Sequence, residues 1–334
     1  KVASVDTRPY SNKPYPPFIT SSLQQEANRK LGMTAKRTMS AAQSLYEKGH
    51  ITYMRTDSMQ LAKEAVTSAR DLIKSHYGDA YLPAKPRNSE HIKKVKNAQE
   101  AHEAIRPSGD QLSLPETLRP TLNQDEFRLY DLIWKRTIAS EMENSRGRHI
   151  TIVIEGGGTI FQVKGKTIDF PGYLRAYVEG ADDPTASLAD QETLLPSVEE
   201  GESLDCKEMT PQSHTTQPPA RFTEASLTKK LEQLGIGRPS TYASTIETIL
   251  NREYVFKKNN ALVPTWTAFA VIKLLEQHLA DLVDYQFTAK MEDELDAISR
   301  GDSGYVKYLK GFYFGNGGPG LKKLLENKLE EIDA

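Results

Sequence analysis

Residues 51–58 read ITYMRTDS, a β-prone run that is too short for a helix. Tyr53 and Arg55 stand two positions apart, and in an extended backbone such side chains lie on the same face. A phenol, whose reference pKa is about 10, attacks phosphorus only where the developing charge is stabilised. The guanidinium of Arg55 can bind two phosphate oxygens. The spacing therefore indicates a tyrosine nucleophile beside a phosphate-binding arginine, although the pair taken alone also fits simple packing.

Helical periodicity flanks this run on both sides. Ser21 with Gln24 fits a capping box at the start of one helix. Thr34 can cap a second helix that ends near Gly49, and Ser58 can cap a third. Two helices, a short extended segment and another helix follow the order of a helix-turn-helix core.

The middle of the chain changes from helical to β character. A long helix is predicted over about 123–142. Ile150, Ile152 and Ile154 then alternate with other side chains, as in a half-buried strand. Residues 143–212 therefore read as a small β-rich region, in which the acidic stretch 180–203 is expected to be exposed.

The last third is helical again. Thr223 can cap one helix, and Pro239 with Ser240 is expected to open another. Asn259 and Asn260 lie between two β-prone triplets and predict a hairpin, which completes a winged-helix order. Further helices are predicted over about 265–280, 287–300 and 303–330.

A second group with phosphate-binding chemistry follows residue 100. If residues 100–107 were helical, His102 and Arg106 would share one face. A cationic pair of this kind suits a phosphodiester, and the histidine can also shuttle a proton. The alternative is a surface helix end with an ordinary polar pair.

A third group occupies the glycine-containing loop 234–242. Its glycines let the backbone approach a phosphate, and Arg238 adds positive charge. With Pro239 in the first helical turn, the N–H groups of Ser240 and Thr241 would point outward toward an anion. The alternative is a glycine turn that only leads into a helix.

Composition excludes several classes of protein. The 334 residues are 38% hydrophobic and 26% charged, which is ordinary for a globular chain of two or three domains. One cysteine, Cys206, excludes an internal disulfide and a multi-cysteine zinc site. No apolar run has the length of a membrane helix. The start has neither a signal-peptide pattern nor a methionine, so an excised piece of a longer protein is expected.

Charge is distributed unevenly along the chain. Residues 1–140 contain 22 Lys and Arg against 15 Asp and Glu, whereas the remainder contains 21 against 30. The first part is therefore the better candidate for contact with a polyanion such as DNA. Chance drift of composition explains the same asymmetry equally well.

Taken together, these segments closely resemble the type IA DNA topoisomerase family, the bacterial topoisomerase I enzymes in particular. The string around Tyr53 is highly specific to it. Further matching strings follow in the family's order over nearly the whole chain: PFITS at 17–21, LQQ at 23–25, PPARFTEASL at 218–227 and FTAKME at 287–292.

The resemblance implies a multidomain α+β fold. Residues 12–139 would form a helical, winged-helix-like domain that carries the tyrosine. Residues 1–11 with 140–212 would form a β-rich arch or hinge, and residues 213–334 a helical DNA-groove domain. The three would make up an incomplete type IA torus, in which the tyrosine domain swings on the arch.

The resemblance also implies a reaction. Tyr53 matches the nucleophile that forms a 5′-phosphotyrosine link with one DNA strand, Arg55 the arginine at the scissile phosphate, and His102 a histidine near the active centre. Positions that line the single-strand groove are matched by Arg238, Ser240, Thr241 and Arg252. Such an enzyme relaxes negative supercoils without ATP by passing a strand through the gap and religating. A cytoplasmic, nucleoid-associated monomer that is not bound to a membrane is expected.

One departure from the family pattern affects activity. The family's N-terminal toprim domain holds Mg²⁺ through clustered carboxylates, and no such motif, nor the zinc-ribbon tail, occurs in this sequence. The acidic run 292–296 is expected to be a solvated helix face. We therefore expect no metal bound to this chain, weak DNA binding, and no cleavage without the toprim domain.

Two other classes of protein share some of these features. Recombinases and type IB topoisomerases also use tyrosine with arginine and histidine, but there the tyrosine follows the basic residues, whereas Tyr53 precedes His102 and Arg106. A helix-turn-helix regulator would explain the helices and the basic first part. It would leave the 51–58 string and the β-rich middle without a role, and it should prefer one duplex sequence.

Overall fold

The computed structural model describes residues 1–87, 103–180, 193–216 and 218–329. These residues fall into two compact units, Lys1–Ala220 and Arg221–Ala334, and each is described by itself. Helices and strands both contribute, as the predicted mixed α and β class requires. The finer division of the first unit into a tyrosine domain and an arch stays a prediction.

A three-stranded antiparallel sheet forms the β part of the first unit. β1 (Val2–Asn12) pairs with β2 (Ser145–Gly156), which pairs with β3 (Thr159–Phe170). Gly157 and Gly158 make the turn between β2 and β3, both at positive φ, where glycine has no steric penalty. The strand and turn predicted around residues 150–158 are confirmed. The start of the chain forms β1, which pairs with Ser145 to Ile154 of β2.

Helices form the other part of this unit and enclose one apolar core. They are α1 (Thr20–Leu31), α2 (Ala35–Glu47), α3 (Lys63–Tyr77), α4 (Pro115–Leu118) and α5 (Gln124–Ser140). Phe18, Leu45, Ile51 and Tyr130 are among the largest fully buried side chains of this core. The Tyr130 hydroxyl donates to the Ser113 carbonyl (2.7 Å), so its burial leaves no unmade hydrogen bond.

The start of α1 differs from the prediction. The helix begins at Thr20, and the Ser22 hydroxyl accepts a hydrogen bond from the Ile19 N–H (3.0 Å). The predicted capping box of Ser21 and Gln24 is therefore wrong, because both residues belong to the helix itself and are buried. The cap predicted for α2 is confirmed, since the Thr34 hydroxyl accepts from the Arg37 N–H (3.1 Å).

The start of α3 also differs from the prediction. The helix begins at Lys63, five residues after the expected cap Ser58. A carboxylate from a distant part of the chain replaces the local hydroxyl, because Glu103 accepts the Ala62 N–H (2.6 Å). A partner 41 residues away cannot be read from local capping patterns.

Buried charges join the helices to the segment that follows β3. Glu26 of α1 is fully buried and accepts hydrogen bonds from the Tyr177 hydroxyl (2.5 Å) and the Gly180 N–H (3.0 Å). Arg136 of α5 is also buried and binds Glu179. Because the carboxylates and the guanidinium are partnered at short range, their burial is tolerated, and the helical part is joined firmly to the β part.

The second unit is helical with one hairpin. Its helices are α6 (Glu224–Leu234), α7 (Tyr242–Asn251), α8 (Trp266–His278), α9 (Ala280–Val283), α10 (Tyr285–Ser299), α11 (Tyr305–Phe314) and α12 (Leu321–Leu329). β4 (Val255–Lys258) and β5 (Ala261–Pro264) form the predicted hairpin, with Asn259 at φ 55° in its turn. The order α6, α7, hairpin is that of the predicted winged helix.

Apolar side chains of this unit are largely accessible. Among the described residues, α8, α10 and α11 contain no buried side chain. Trp266 and Leu295 are both exposed. No helix within the described ranges combines the length and hydropathy that crossing a bilayer requires.

Glu126 joins α2 to α5 through a group of hydrogen bonds. Its carboxylate accepts from Lys48 (2.7 and 2.8 Å), from Ser44 (2.6 Å) and from the Asn123 N–H (2.9 Å), and Asn123 caps the Glu126 N–H in return. Burial alone would raise the pKa of Glu126, but the hydrogen bonds from Lys48, Ser44 and Asn123 lower it to about 2.

We predict that Glu126→Gln destabilises the protein at neutral pH and loses this effect in acid. The pKa of Glu126 is lowered on folding from 4.5, so its contribution is complete above pH 4.5 and disappears as the pH falls toward 2. The upper limit of that contribution is about 3 kcal/mol. Urea unfolding of wild type and variant at a series of pH values measures it.

Glu116→Gln is the matched control. Glu116 makes an exposed ion pair with Arg119 (2.7 Å), which is only three residues away, so the pair does not join distant elements. We expect it to change the free energy of unfolding little at any pH. A wild-type advantage over Glu126→Gln that stays constant from pH 7 to pH 3 would contradict the assignment.

Candidate active site

Tyr53 lies on an irregular segment whose side chains alternate between core and solvent. Ile51 and Met54 are buried in the apolar core, and Thr56 is buried as well. Tyr53 is 39% exposed, and Arg55 is exposed. Tyr53 is accessible, as a nucleophile must be, and Met54 anchors the backbone between the two exposed side chains.

The buried hydroxyl of Thr20 holds the C-terminal side of this segment. It accepts a hydrogen bond from the Thr56 N–H (2.8 Å) and lies within hydrogen-bond distance of the carbonyls of Met54 (2.8 Å) and Thr56 (3.0 Å). The Thr20 N–H donates to the Thr56 carbonyl in addition (2.9 Å). The first residue of α1 therefore sets the backbone path directly after Tyr53.

A second set of hydrogen bonds holds the N-terminal side. The Thr52 N–H donates to the Arg106 carbonyl (2.9 Å), and the Thr52 hydroxyl donates to the Ala104 carbonyl (2.7 Å). Ile51 forms an antiparallel bridge with Pro107. Tyr53 is thus bracketed by α1 on one side and by residues 104–107 on the other.

The role predicted for Arg106 is wrong. Residues 103–107 are extended rather than helical. Glu103 binds the Arg106 guanidinium through both carboxylate oxygens (2.5 and 3.0 Å), and the carbonyls of Pro107 and Gly109 accept its remaining Nη1 donors. Arg106 is buried and supports the segment beside Tyr53 instead of facing a phosphodiester. His102, the other member of the predicted pair, lies outside the described residues.

The ring of Tyr53 packs against one neighbouring aromatic ring. Tyr46, on the last turn of α2, meets it edge-on at a centroid distance of 5.2 Å and an interplanar angle of 68°. Tyr46 is 41% exposed, almost the same as Tyr53. Two phenols therefore stand side by side, and only the one at position 53 lies next to Arg55 in the sequence. The contact between Tyr46 and Tyr53 was not predicted from the sequence.

The predicted groove residues lie in the second unit. α7 begins at Tyr242, three residues later than expected, because the N–H of Thr241 donates to the Arg238 carbonyl (2.8 Å). That N–H is therefore not available to an anion. Ser240 and the side chain of Thr241 are exposed, and Arg252 is exposed at the C-cap of α7.

Arg238 contacts the acidic run that was predicted to be a solvated face. Its guanidinium is bound by Asp296 (2.9 Å) and Asp293 (3.4 Å) of α10, and Glu292 accepts the Gly237 N–H (3.1 Å). The solvated-face prediction is therefore wrong for Glu292 and Asp296, which are half-buried, whereas Asp293 is exposed as predicted. Within the ranges that the structure describes, no three His, Cys, Asp or Glu side chains come together as a possible metal site.

Comparison with known proteins agrees with this arrangement. The sequence profile of the DNA topoisomerase family matches residues 1–310. DNA topoisomerase 1 of Mycobacterium tuberculosis is 53% identical over 350 residues and that of Streptomyces coelicolor 56% over 319 residues, covering 100% and 94% of this chain. The chain belongs to the type IA DNA topoisomerase family.

A solved type IA structure supports the same fold. The full-length topoisomerase I from Thermotoga maritima superposes with a TM-score of 0.75 at 34% identity over 99% of this chain. The chain spans 37% of the Mycobacterium relative, 33% of the Streptomyces relative and 52% of the Thermotoga chain.

We predict that Thr20→Val destabilises the first unit by about 1–3 kcal/mol, because it leaves the buried Thr56 N–H without its partner. Thr67→Val is the matched control, since the exposed Thr67 hydroxyl bonds only to the Lys63 carbonyl of its own helix (3.0 Å). Urea unfolding monitored by far-ultraviolet circular dichroism compares the two. Equal stability of the two variants would show that Thr20 does not brace the segment.

Proposed function

We propose that this chain supplies the strand-cleaving tyrosine and part of the DNA groove of a type IA DNA topoisomerase, which relaxes negatively supercoiled DNA. The observation that carries the proposal is the exposure of Tyr53 on a firmly held backbone segment. Tyr53 is accessible, yet it sits on a segment braced on both sides by buried hydrogen bonds. A nucleophile needs both access to the phosphate and a fixed position.

The chemistry follows from the phenol. The Tyr53 oxygen attacks the scissile phosphorus, its proton leaves, and the bond from phosphorus to the 3′ oxygen breaks. The products are a 5′-phosphotyrosine and a free 3′ hydroxyl. Religation is the same exchange in reverse, so the bond energy is retained and ATP is not needed. Arg55 is assigned to the scissile phosphate because a guanidinium can bind two of its oxygens, and His102 is assigned to the same centre by its match to the family.

DNA is the proposed partner, as a single-stranded segment of an underwound duplex. Ser240, Thr241 and Arg252 are exposed on the second unit and are assigned to phosphate contacts, together with Arg238. Binding of this kind is strongly salt-dependent and tolerant of sequence. A monomer acting on the nucleoid in the bacterial cytoplasm is the proposed setting.

The type IA family is consistent with a metal-dependent enzyme. The residues that the structure describes do not offer a cluster of carboxylates for Mg²⁺, so we derive no step through a metal held by this chain. We assign that site to a toprim domain, which would lie against Tyr53 in the complete enzyme.

Strand passage requires the tyrosine to move away from the groove. We assign this motion to residues 12–139 swinging on an arch of residues 1–11 and 140–212, as part of an incomplete torus. Two chain segments lead into and out of the 12–139 block, so both would flex together. The buried contacts of Glu26 with Tyr177 and of Arg136 with Glu179 join this block to residues of the arch, so a swing at these bounds has to break both contacts.

We predict that the chain alone forms no covalent adduct with a labelled single-stranded oligonucleotide in the presence of Mg²⁺. Adding the toprim domain in cis or in trans should restore the adduct, and Tyr53→Phe should abolish it. Tyr46→Phe is the matched control, because Tyr46 has the same exposure and touches Tyr53. Denaturing electrophoresis of the labelled strand measures the adduct.

Several results would contradict the proposal. An adduct that persists in Tyr53→Phe and disappears in Tyr46→Phe would place the nucleophile on α2. Protein on the 3′ end of the cut strand would indicate the recombinase or type IB class. Tight binding to one duplex sequence, with no adduct after the toprim domain is supplied, would indicate a regulator.

A further inference from the structure

Every nitrogen of the Arg238 guanidinium already has a partner inside the second unit. A guanidinium has five N–H donors on three nitrogens. Nε donates to one oxygen of Asp296 (3.0 Å), and Nη2 forms an ion pair with the same oxygen (2.9 Å). The two Nη1 donors bind the carbonyls of Gly235 (3.1 Å) and Gly237 (2.8 Å), and Nη2 also faces Asp293 at 3.4 Å. A phosphate can therefore bind Arg238 only by replacing one of these partners.

The five contacts are not equally strong. Asp296 is only 29% exposed in its side chain and contacts two nitrogens, whereas Asp293 is 68% exposed and contacts one at the longest distance. The two carbonyls belong to the loop itself and cannot leave without unfolding it. Asp293 is thus the partner that an incoming anion displaces at the lowest cost, since an exposed ion pair contributes little.

The same helix also fixes the loop that carries Arg238. Glu292 accepts the Gly237 N–H (3.1 Å), and Gly237 stands at φ 79° in the left-handed region that glycine tolerates. The Thr241 hydroxyl accepts the Arg238 N–H (2.8 Å). Loop 235–241 and the acidic residues of α10 therefore form one hydrogen-bonded unit, which orients the guanidinium before any ligand arrives.

We propose that α10 regulates the contact between Arg238 and the DNA backbone through two carboxylates with opposite effects. Asp296 is a positioning residue that keeps the guanidinium fork pointed outward. Asp293 competes with the DNA phosphate for the outer Nη2 donor and so weakens binding. This inference rests on the proposed function, because it takes Arg238 as a DNA contact.

A weaker contact between Arg238 and the DNA phosphate makes release of the strand easier. A strand that is bound too tightly dissociates slowly, and turnover requires repeated capture and release of single strands. An internal carboxylate that returns to Arg238 as the phosphate leaves lowers the free-energy cost of release, because the guanidinium is never left unpaired.

The test compares three alanine variants that each remove one carboxylate from α10: Asp293→Ala, Asp296→Ala and Glu294→Ala. Glu294 is exposed on the same helix and faces the Ser303 hydroxyl rather than Arg238, so its variant is the control for long-range charge. The equilibrium dissociation constant of the full chain for a fluorescein-labelled oligothymidylate is measured by anisotropy over a series of salt concentrations. Thermal unfolding of each variant is followed in parallel.

Relative to Glu294→Ala, we expect Asp293→Ala to bind about threefold tighter and Asp296→Ala about tenfold weaker. Asp296→Ala should also lower the salt slope by about 0.7, the value of one phosphate contact to a single strand, as should Arg238→Gln. Asp296→Asn should recover much of the loss, because its amide oxygen can still accept from Nε. In the Arg238→Gln background, Asp296→Ala should change the affinity no further.

The outcomes separate the two proposals. If the wild-type chain does not bind the oligonucleotide, the proposed function fails and this inference with it. If the wild type binds but Asp293→Ala matches Glu294→Ala, the competition is overturned. If Asp296→Ala weakens binding equally with and without Arg238, or with an unchanged salt slope, positioning is overturned. If Asp296→Ala does not fold, the affinities of Asp293→Ala and Asp296→Asn for the oligonucleotide decide between the same outcomes.

Discussion

The structure around the candidate nucleophile depends on the buried hydroxyl of Thr20. It satisfies backbone groups of Met54 and Thr56 that would otherwise be buried without partners. Because these groups are held, Met54 can stay in the apolar core while Tyr53 reaches solvent. The Thr20 side chain thus allows the backbone to be fixed while the Tyr53 phenol stays accessible.

Buried and half-buried carboxylates have the same function elsewhere in the chain. Glu103 caps α3 and holds Arg106, Glu26 binds the Tyr177 hydroxyl, and Glu126 joins α2 to α5. Each lies at a junction between elements and receives several donors. Burying a charge is costly unless it is partnered, so such groups are stable only in one arrangement of their surroundings. Asp296 and Arg238 repeat this design on the second unit.

Local patterns were sufficient for most of the secondary structure. The alternation at Ile150–Ile154, the hairpin at Asn259 and the cap at Thr34 depend on neighbours within a few residues, and each was predicted correctly. Ser58, Arg106 and Pro239 were interpreted wrongly, because none of the three lies in a helix and the groups concerned have other hydrogen-bond partners. Glu103 replaced Ser58 as a cap, Glu103 also withdrew Arg106 from solvent, and the Arg238 carbonyl took the N–H of Thr241.

Sequence by itself was enough to single out Tyr53 and Arg55, to separate the helical and β-rich stretches, and to place the chain in its family, because these properties reside in short strings and in their order. Folding was needed to show which of the charged residues face solvent. Arg106 and Arg238 carry the same charge as Arg55, yet both are bound by carboxylates. Glu103 lies three residues before Arg106, and Asp296 lies 58 residues after Arg238. An arginine is freely available to DNA only where internal acceptors have not taken its donors, and the folded backbone decides which acceptors reach the guanidinium.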